Sequence, residues 1–127
     1  LPRLKSDFAD IVKACVNENL IETNIEWFND KSLCIVLCSK GYPETYEKNI
    51  EIKNLNNINF SKDEFLYHAG TLKKDNRIFA IGGRVLNFVS LSSNFNSAKD
   101  KVLSNLKKLN WPGGFYRNDI GHKVIKK

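Results

Sequence analysis

The sequence predicts an α+β domain, a mostly antiparallel β-sheet or partial barrel with one helix before the strands and one after. Three observations predict it. Apolar residues recur at helical spacing in Phe8, Ile11, Val12, Cys15 and Val16. From Ile25 onward the period shortens to that of strands, broken by turns containing glycine or asparagine. Helical spacing then returns in Ala98, Val102, Leu106 and Leu109. A chain of 127 residues, 42% hydrophobic and 27% charged, is the size of one domain and apolar enough to build a core, which excludes the disordered and fibrous classes.

Ser6 precedes the first apolar period and supplies an oxygen for a helix cap, so the first helix is expected from about Asp7 to Asn19. Ile25 and Trp27 alternate with polar neighbours, Asn29-Asp30-Lys31 turns, and Leu33 to Cys38 is unbroken apolar sequence. That combination predicts a hairpin whose second strand is buried on both faces. Gly41-Tyr42-Pro43 ends the strand, and the asparagine-rich stretch from Lys48 to Phe60 allows a short strand near Ile50 to Ile52. Strands are expected at Glu64 to Ala69, Arg77 to Ile81 and Val85 to Leu91, separated by Gly70, Asp75-Asn76 and Gly82-Gly83. A helix from about Asn96 to Leu109 and a basic, glycine-containing tail from Trp111 complete the chain.

Twenty lysines and arginines against fourteen acids give a formal charge of +6, which favours anionic partners. No run approaches the ~18 apolar residues of a membrane-spanning helix. No secretory signal opens the chain, so the three cysteines are expected as reduced cytosolic thiols. Cys34 and Cys38 resemble a zinc pair in spacing alone, because four residues of strand separate their Cα atoms by roughly 13 Å. All three cysteines are expected in the core. The chain starts at Leu1-Pro2-Arg3 and contains no methionine, and is read as a piece of a longer protein.

Complete catalytic or metal motifs are missing: there is no P-loop, no dinucleotide fingerprint and no nucleophile elbow. Two segments nonetheless carry usable chemistry. In Ile81-Gly82-Gly83-Arg84-Val85-Leu86, two glycines let an anion approach the backbone N–H groups while Arg84 offers a fork of donors, a pattern that suits a phosphate monoester and also fits a plain turn with a surface arginine. Tyr67-His68-Ala69-Gly70-Thr71 ends a strand where His68 and Thr71 either line a pocket or satisfy a turn.

Pro2-Arg3-Leu4-Lys5-Ser6-Asp7, Gly41-Tyr42-Pro43 with Tyr46-Glu47-Lys48, His68-Ala69-Gly70-Thr71, Gly82-Gly83-Arg84-Val85-Leu86 and Tyr116-Arg117-Asn118-Asp119-Ile120-Gly121-His122 occur in this order. Together they resemble the C-terminal part of the phosphoribosylamine–glycine ligase (glycinamide ribonucleotide synthetase) family of ATP-grasp enzymes. The resemblance implies that residues 1–21 end the ATP-grasp core and residues 22–127 form the β-rich C-terminal domain. It implies ATP-dependent joining of glycine to 5-phosphoribosylamine in purine biosynthesis, in the cytoplasm. ATP and Mg (or Mn) would be bound outside this chain, whose partner is the remainder of its own chain. Arg84, Gly82 and Gly83 would hold the ribose phosphate. His68 and Thr71, with Arg3 and Lys5 near the absent metal motif, are weaker candidates. Lys48-Asn49 stands where the family has Lys-Gly, and asparagine is the best substitute wherever such a glycine needs a positive φ. The rival functions are a structural module closing a cleft and a nucleic-acid binder using Lys99, Lys101, Lys107, Lys108, Lys123, Lys126 and Lys127.

Overall fold

A computed structural model describes residues 1–125. Helix α1 (Phe8–Val16) is shorter than its apolar period suggested. Its cap is the Asp7 carboxylate, which accepts from the N–H of Ala9 at 2.7 Å and of Asp10 at 3.4 Å, a geometry favoured by the positive end of the helix dipole. Ser6 serves a different contact, its hydroxyl accepting from the Glu26 N–H at 2.8 Å. Among the described residues seven strands follow: β1 (Lys31–Ser39), β2 (Ile50–Glu51), β3 (Glu64–His68), β4 (Thr71–Lys74), β5 (Arg77–Ala80), β6 (Arg84–Ser92) and, beyond helix α2 (Phe95–Leu109), β7 (Gly114–Phe115).

The strands form two antiparallel sheets, one ordered β3-β6-β1-β7 and a smaller one ordered β2-β5-β4. The expected hairpin between Ile25–Trp27 and β1 does not form. Trp27 makes only a bridge to Leu4, and β1 pairs instead with β6. Strands β4 and β7 were not legible: Thr71-Leu72-Lys73-Lys74 is mostly polar, and two residues of β7 carry no period.

Burial along β1 alternates, with Leu33, Ile35, Leu37 and Ser39 buried and Lys31 and Cys34 exposed. Register pairs Leu33, Ile35 and Leu37 with Ser90, Phe88 and Leu86 of β6, and this face is covered by α2 through Ala98, Val102, Leu106 and Leu109. The opposite face carries Cys34, Val36, Phe65, Tyr67 and Asn87. The expectation of a strand buried on both faces is therefore corrected, because α2 covers one side only. The core placement of the cysteines falls with it: Cys15 and Cys34 are exposed and Cys38 is half-buried. Asn49 takes a positive φ of 60°, and its N–H donates to Ala80 O at 2.7 Å.

One polar cluster fixes α2 against the strands. Asn105, 3% exposed, donates to Glu64 at 2.8 Å, and Lys101 pairs with Asp63. The hydrogen bond from Lys101 holds the Asp63 carboxyl below its ordinary value of 3.8. Desolvation pushes Glu64 up, but hydrogen bonds from Ser61 and Asn105 and the charge of Lys101 outweigh it and hold the group below 4.5. Both carboxylates bind protons less readily when folded than when unfolded. Their stabilisation is complete above the unfolded values and is lost as pH falls through and below them. The urea midpoint of the chain is thus expected to hold down to about pH 5 and to fall progressively below it, with a shallower fall for Lys101→Met. A midpoint that rises on acidification would contradict this.

Candidate functional site

Two of the chain's four crossings between the sheets meet at one place. Ala69–Gly70 carries it from β3 to β4, and Ile81-Gly82-Gly83 carries it back from β5 to β6. Gly82-Gly83 is therefore a junction between sheets and makes no hairpin. Ser39 fastens it from β1, donating its N–H to Gly83 O and its hydroxyl to Gly82 O, both at 2.8 Å.

Just beyond the junction the β1–β6 ladder shifts register. Leu37 faces Leu86 but Cys38 faces Arg84, so Val85 is an extra residue, a β-bulge. Val85 and Leu86 are consecutive in sequence and both fully buried in the core. Strict alternation would place Arg84 on the same face as Leu86, towards α2. The bulge turns Arg84 to the opposite face, beside Cys38, and leaves it exposed.

Arg84 there lines a cleft of about 600 Å³ with Val36, Tyr42, Ala69, Gly70, Gly83 and Asn87. Among the described residues its guanidinium makes no ion pair, in contrast to Arg77, which reaches Glu51 at 3.9 Å and lies over the Phe79 ring, and Arg117, which forks onto Asp119 at 2.9 and 2.5 Å. The mutual hydrogen bond lowers the Asp119 pKa and raises that of Arg117, as expected for a pair satisfied within the tail. Burial pushes the Cys38 thiol up, against a smaller downward pull from Arg84. A second, apolar hollow of about 290 Å³, between Cys38, Pro43, Phe115 and Ile120, shares Val36 and Tyr42 with the Arg84 cleft.

The residues proposed from sequence divide accordingly. Arg84 and Gly83 line the cleft. The Gly82 N–H donates to Gly70 O at 3.2 Å, so Gly82 contributes close backbone approach. His68 and Thr71 bond each other, Nδ1 to Oγ1 at 2.9 Å, and His68 pairs with Leu86 on the α2 side of the sheet, away from Asn87. Arg3 donates to Phe28 O at 3.3–3.4 Å and Lys5 pairs with Glu26 at 2.6 Å, which ties them to a neighbouring segment remote in the chain from the cleft residues. Sequence reading missed Asn87 and took Gly41-Tyr42-Pro43 most simply as a turn. The signal for Asn87 was available, an amide inside the apolar strand Val85-Leu86-Asn87-Phe88-Val89.

The same geometry bears on nucleic-acid binding. The exposed Tyr67 ring stacks on Phe65 at 6.2 Å, on the sheet face opposite α2, whereas the lysines lie on or after α2, and Lys101 is engaged by Asp63. Stacking surface and cationic helix thus face apart. Lys126 and Lys127 lie outside the described residues. Among the described residues no three His, Cys, Asp or Glu side chains stand together so as to hold a metal ion, and no helix is long and apolar enough to cross a membrane.

Residues 32–123 match the family model described as phosphoribosylglycinamide synthetase, C domain. The chain is 38% identical over 120 residues to the phosphoribosylamine–glycine ligase of Caldanaerobacter subterraneus, covering 94% of this chain and 28% of that protein. To the ligase of Brucella melitensis it is 37% identical over 125 residues, 98% of this chain and 29% of the relative. A crystal structure of phosphoribosylamine–glycine ligase from Thermotoga maritima superposes with a TM-score of 0.65 at 26% identity, over 87% of this chain and 27% of that one. The chain thus spans less than a third of the length of these relatives.

Proposed function

Because the chain belongs to the phosphoribosylglycinamide synthetase family through its C domain, we propose that it is the C-terminal part of an enzyme that joins glycine to 5-phosphoribosylamine using ATP. ADP and phosphate are the other products. In this reading glycine is first activated as an acyl phosphate, and the ribosylamine nitrogen then attacks its carbonyl carbon and displaces phosphate. The part described closes the cleft and binds the ribose phosphate. The observation that carries the reading is Arg84, turned by the β-bulge onto a 600 Å³ cleft and unpaired among the described residues. A guanidinium fork matches two phosphate oxygens, and the Gly83 N–H adds a third donor. Asn87 and Tyr42 are the other polar groups lining that cleft and suit sugar hydroxyls. Holding the phosphate at one end fixes the amine at the other, and positioning of this kind supplies much of the rate of a two-substrate reaction.

ATP and magnesium or manganese fit poorly on the described residues, which offer neither a carboxylate cluster nor a glycine-rich phosphate loop. Both are assigned to the remainder of the parent chain. The contact to that remainder is assigned to two apolar surfaces: the face of α1 that leaves Phe8, Val12 and Val16 exposed, and the outer sheet face around Cys34, Phe65 and Tyr67. Residues 1–21 are read as the end of the preceding domain. The bonds of Arg3, Lys5 and Ser6 to Glu26 and Phe28 extend that unit towards Phe28, just short of the family match at residue 32. The enzyme is placed in the cytoplasm.

The test is ADP release that requires both glycine and phosphoribosylamine. The parent chain is expected to show it and residues 1–127 alone to show none. Turnover by residues 1–127 alone would overturn the assignment of the ATP site to the missing part.

A further inference from the structure

The β3–β4 and β5–β6 crossings between the sheets touch at Gly70. Its N–H donates to Arg84 O at 2.9 Å, and its own carbonyl accepts from the N–H of Ile81 at 2.8 Å and of Gly82 at 3.2 Å. Ala69 donates to Val85 O at 3.0 Å. One residue without a side chain therefore grips the backbone on both sides of the Gly82-Gly83-Arg84 segment. A Cβ built on Gly70 would stand 2.7 Å from Arg84 O, 2.7 Å from Gly82 Cα and 2.9 Å from Gly82 N. All three are backbone atoms, so no rotamer change relieves the overlap. Ordinary contact begins near 3.4 Å, and the β5–β6 crossing would have to retreat by about 0.7 Å.

We infer that Gly70 is a positioning residue for Arg84: its missing side chain lets the β5–β6 crossing close onto β3–β4, and that closure sets where the guanidinium stands in the cleft. The inference rests on the reading of Arg84 as the phosphate clamp. Gly70 lines the cleft through backbone alone and donates nothing to the ligand, so its effect passes through Arg84. Misplacing a binding group by a fraction of an ångström weakens a directional, two-pronged contact far more than it weakens the fold around it.

The experiment is a double-mutant cycle in the intact parent enzyme. Gly70→Ala is expected to raise KM for phosphoribosylamine roughly tenfold, with the ATP and glycine constants within about twofold of wild type. Gly82→Ala, whose Cβ would meet Gly70 Cα at 3.0 Å, should shift it in the same direction by less. In an Arg84→Ala background either change should add little, because the group it misplaces is gone. Independent, additive effects of Gly70→Ala and Arg84→Ala, or equal losses for all three substrates, would overturn the positioning role while leaving the clamp intact. An unchanged phosphoribosylamine constant in Arg84→Ala itself would remove the clamp, and the positioning role with it. If Gly70→Ala does not fold, Gly82→Ala is read through the same cycle.

Discussion

Replacing Arg84 by alanine in the intact parent enzyme is expected to raise KM for phosphoribosylamine by roughly 30- to 700-fold, the equivalent of ~2–4 kcal/mol, with the ATP constant nearly unchanged. The size follows from the chemistry of the contact. On the proposed reading, a guanidinium held by a strand and facing a dianionic phosphate would make charge-assisted hydrogen bonds that water replaces only in part. The selectivity follows from the geometry, since Arg84 lines a cleft with Tyr42, Asn87 and Gly83, and the nucleotide is assigned to another part of the enzyme. Arg84→Lys should recover part of the loss, keeping the charge but losing the fork. Steady-state kinetics with each substrate varied in turn provides the check. An ATP constant that moves as far as the phosphoribosylamine constant would point to a disturbed fold, and turnover indifferent to the change would reduce this domain to a scaffold.

The largest expected effect on stability is at Phe88. Its ring is 1% exposed on the α2 side of β6, flanked by the cross-strand partners Ile35 and Leu66, with the Phe60 ring centroid at 6.3 Å. Phe88→Ala removes that buried area and leaves a cavity that the sheet cannot collapse to fill, a loss of ~3–5 kcal/mol. Against a typical domain stability of about 5–15 kcal/mol, much of the population would be unfolded under mild denaturant. Phe88→Leu should cost far less, being closer in volume. Truncating Tyr67, on the uncovered face and 44% exposed, should cost only a fraction of the Phe88 figure in this chain. Urea unfolding of the three variants ranks them, and a Phe88→Ala loss below about 1 kcal/mol would contradict this account of the core.

Much of this architecture is legible in the residues. The 3.6-residue periods of α1 and α2 and the strand at Arg77–Ala80 each follow from local chemistry. What local chemistry misreads is informative. The unbroken run Leu33–Cys38 suggests burial on two sides, but on the side away from α2 Cys34 is exposed and Val36 and Cys38 are only half-buried. The segment Ile25–Trp27 alternates like a strand, but its neighbour is Leu4 rather than β1, a pairing no short-range rule selects. For the candidate site, the types Gly82-Gly83-Arg84 mark the place. Their arrangement depends on a bulge at Val85 and on Gly70, which lies 14 positions from Arg84 and touches the junction only once both sheets exist. The separation of His68 and Thr71 from the cleft is likewise a matter of strand parity, visible only when the register with β6 is known.

The pairing of β1 with β6 also governs how the chain reaches this structure. Cys38 and Arg84 face each other across 46 positions of sequence, and the central ladder has no shorter-range substitute. Closing a loop of that length costs about 3 kcal/mol in chain entropy before any ladder bond forms. Helices α1 and α2 and the β4–β5 hairpin can flicker into shape early from local contacts, but none of them brings β1 to β6. With β2–β5 and β3–β6 also paired over long separations, the domain is expected to fold in the slower regime of high contact order. During synthesis the core is expected to stay open until α2 has emerged, because Ala98, Val102, Leu106 and Leu109 close it over the sheet.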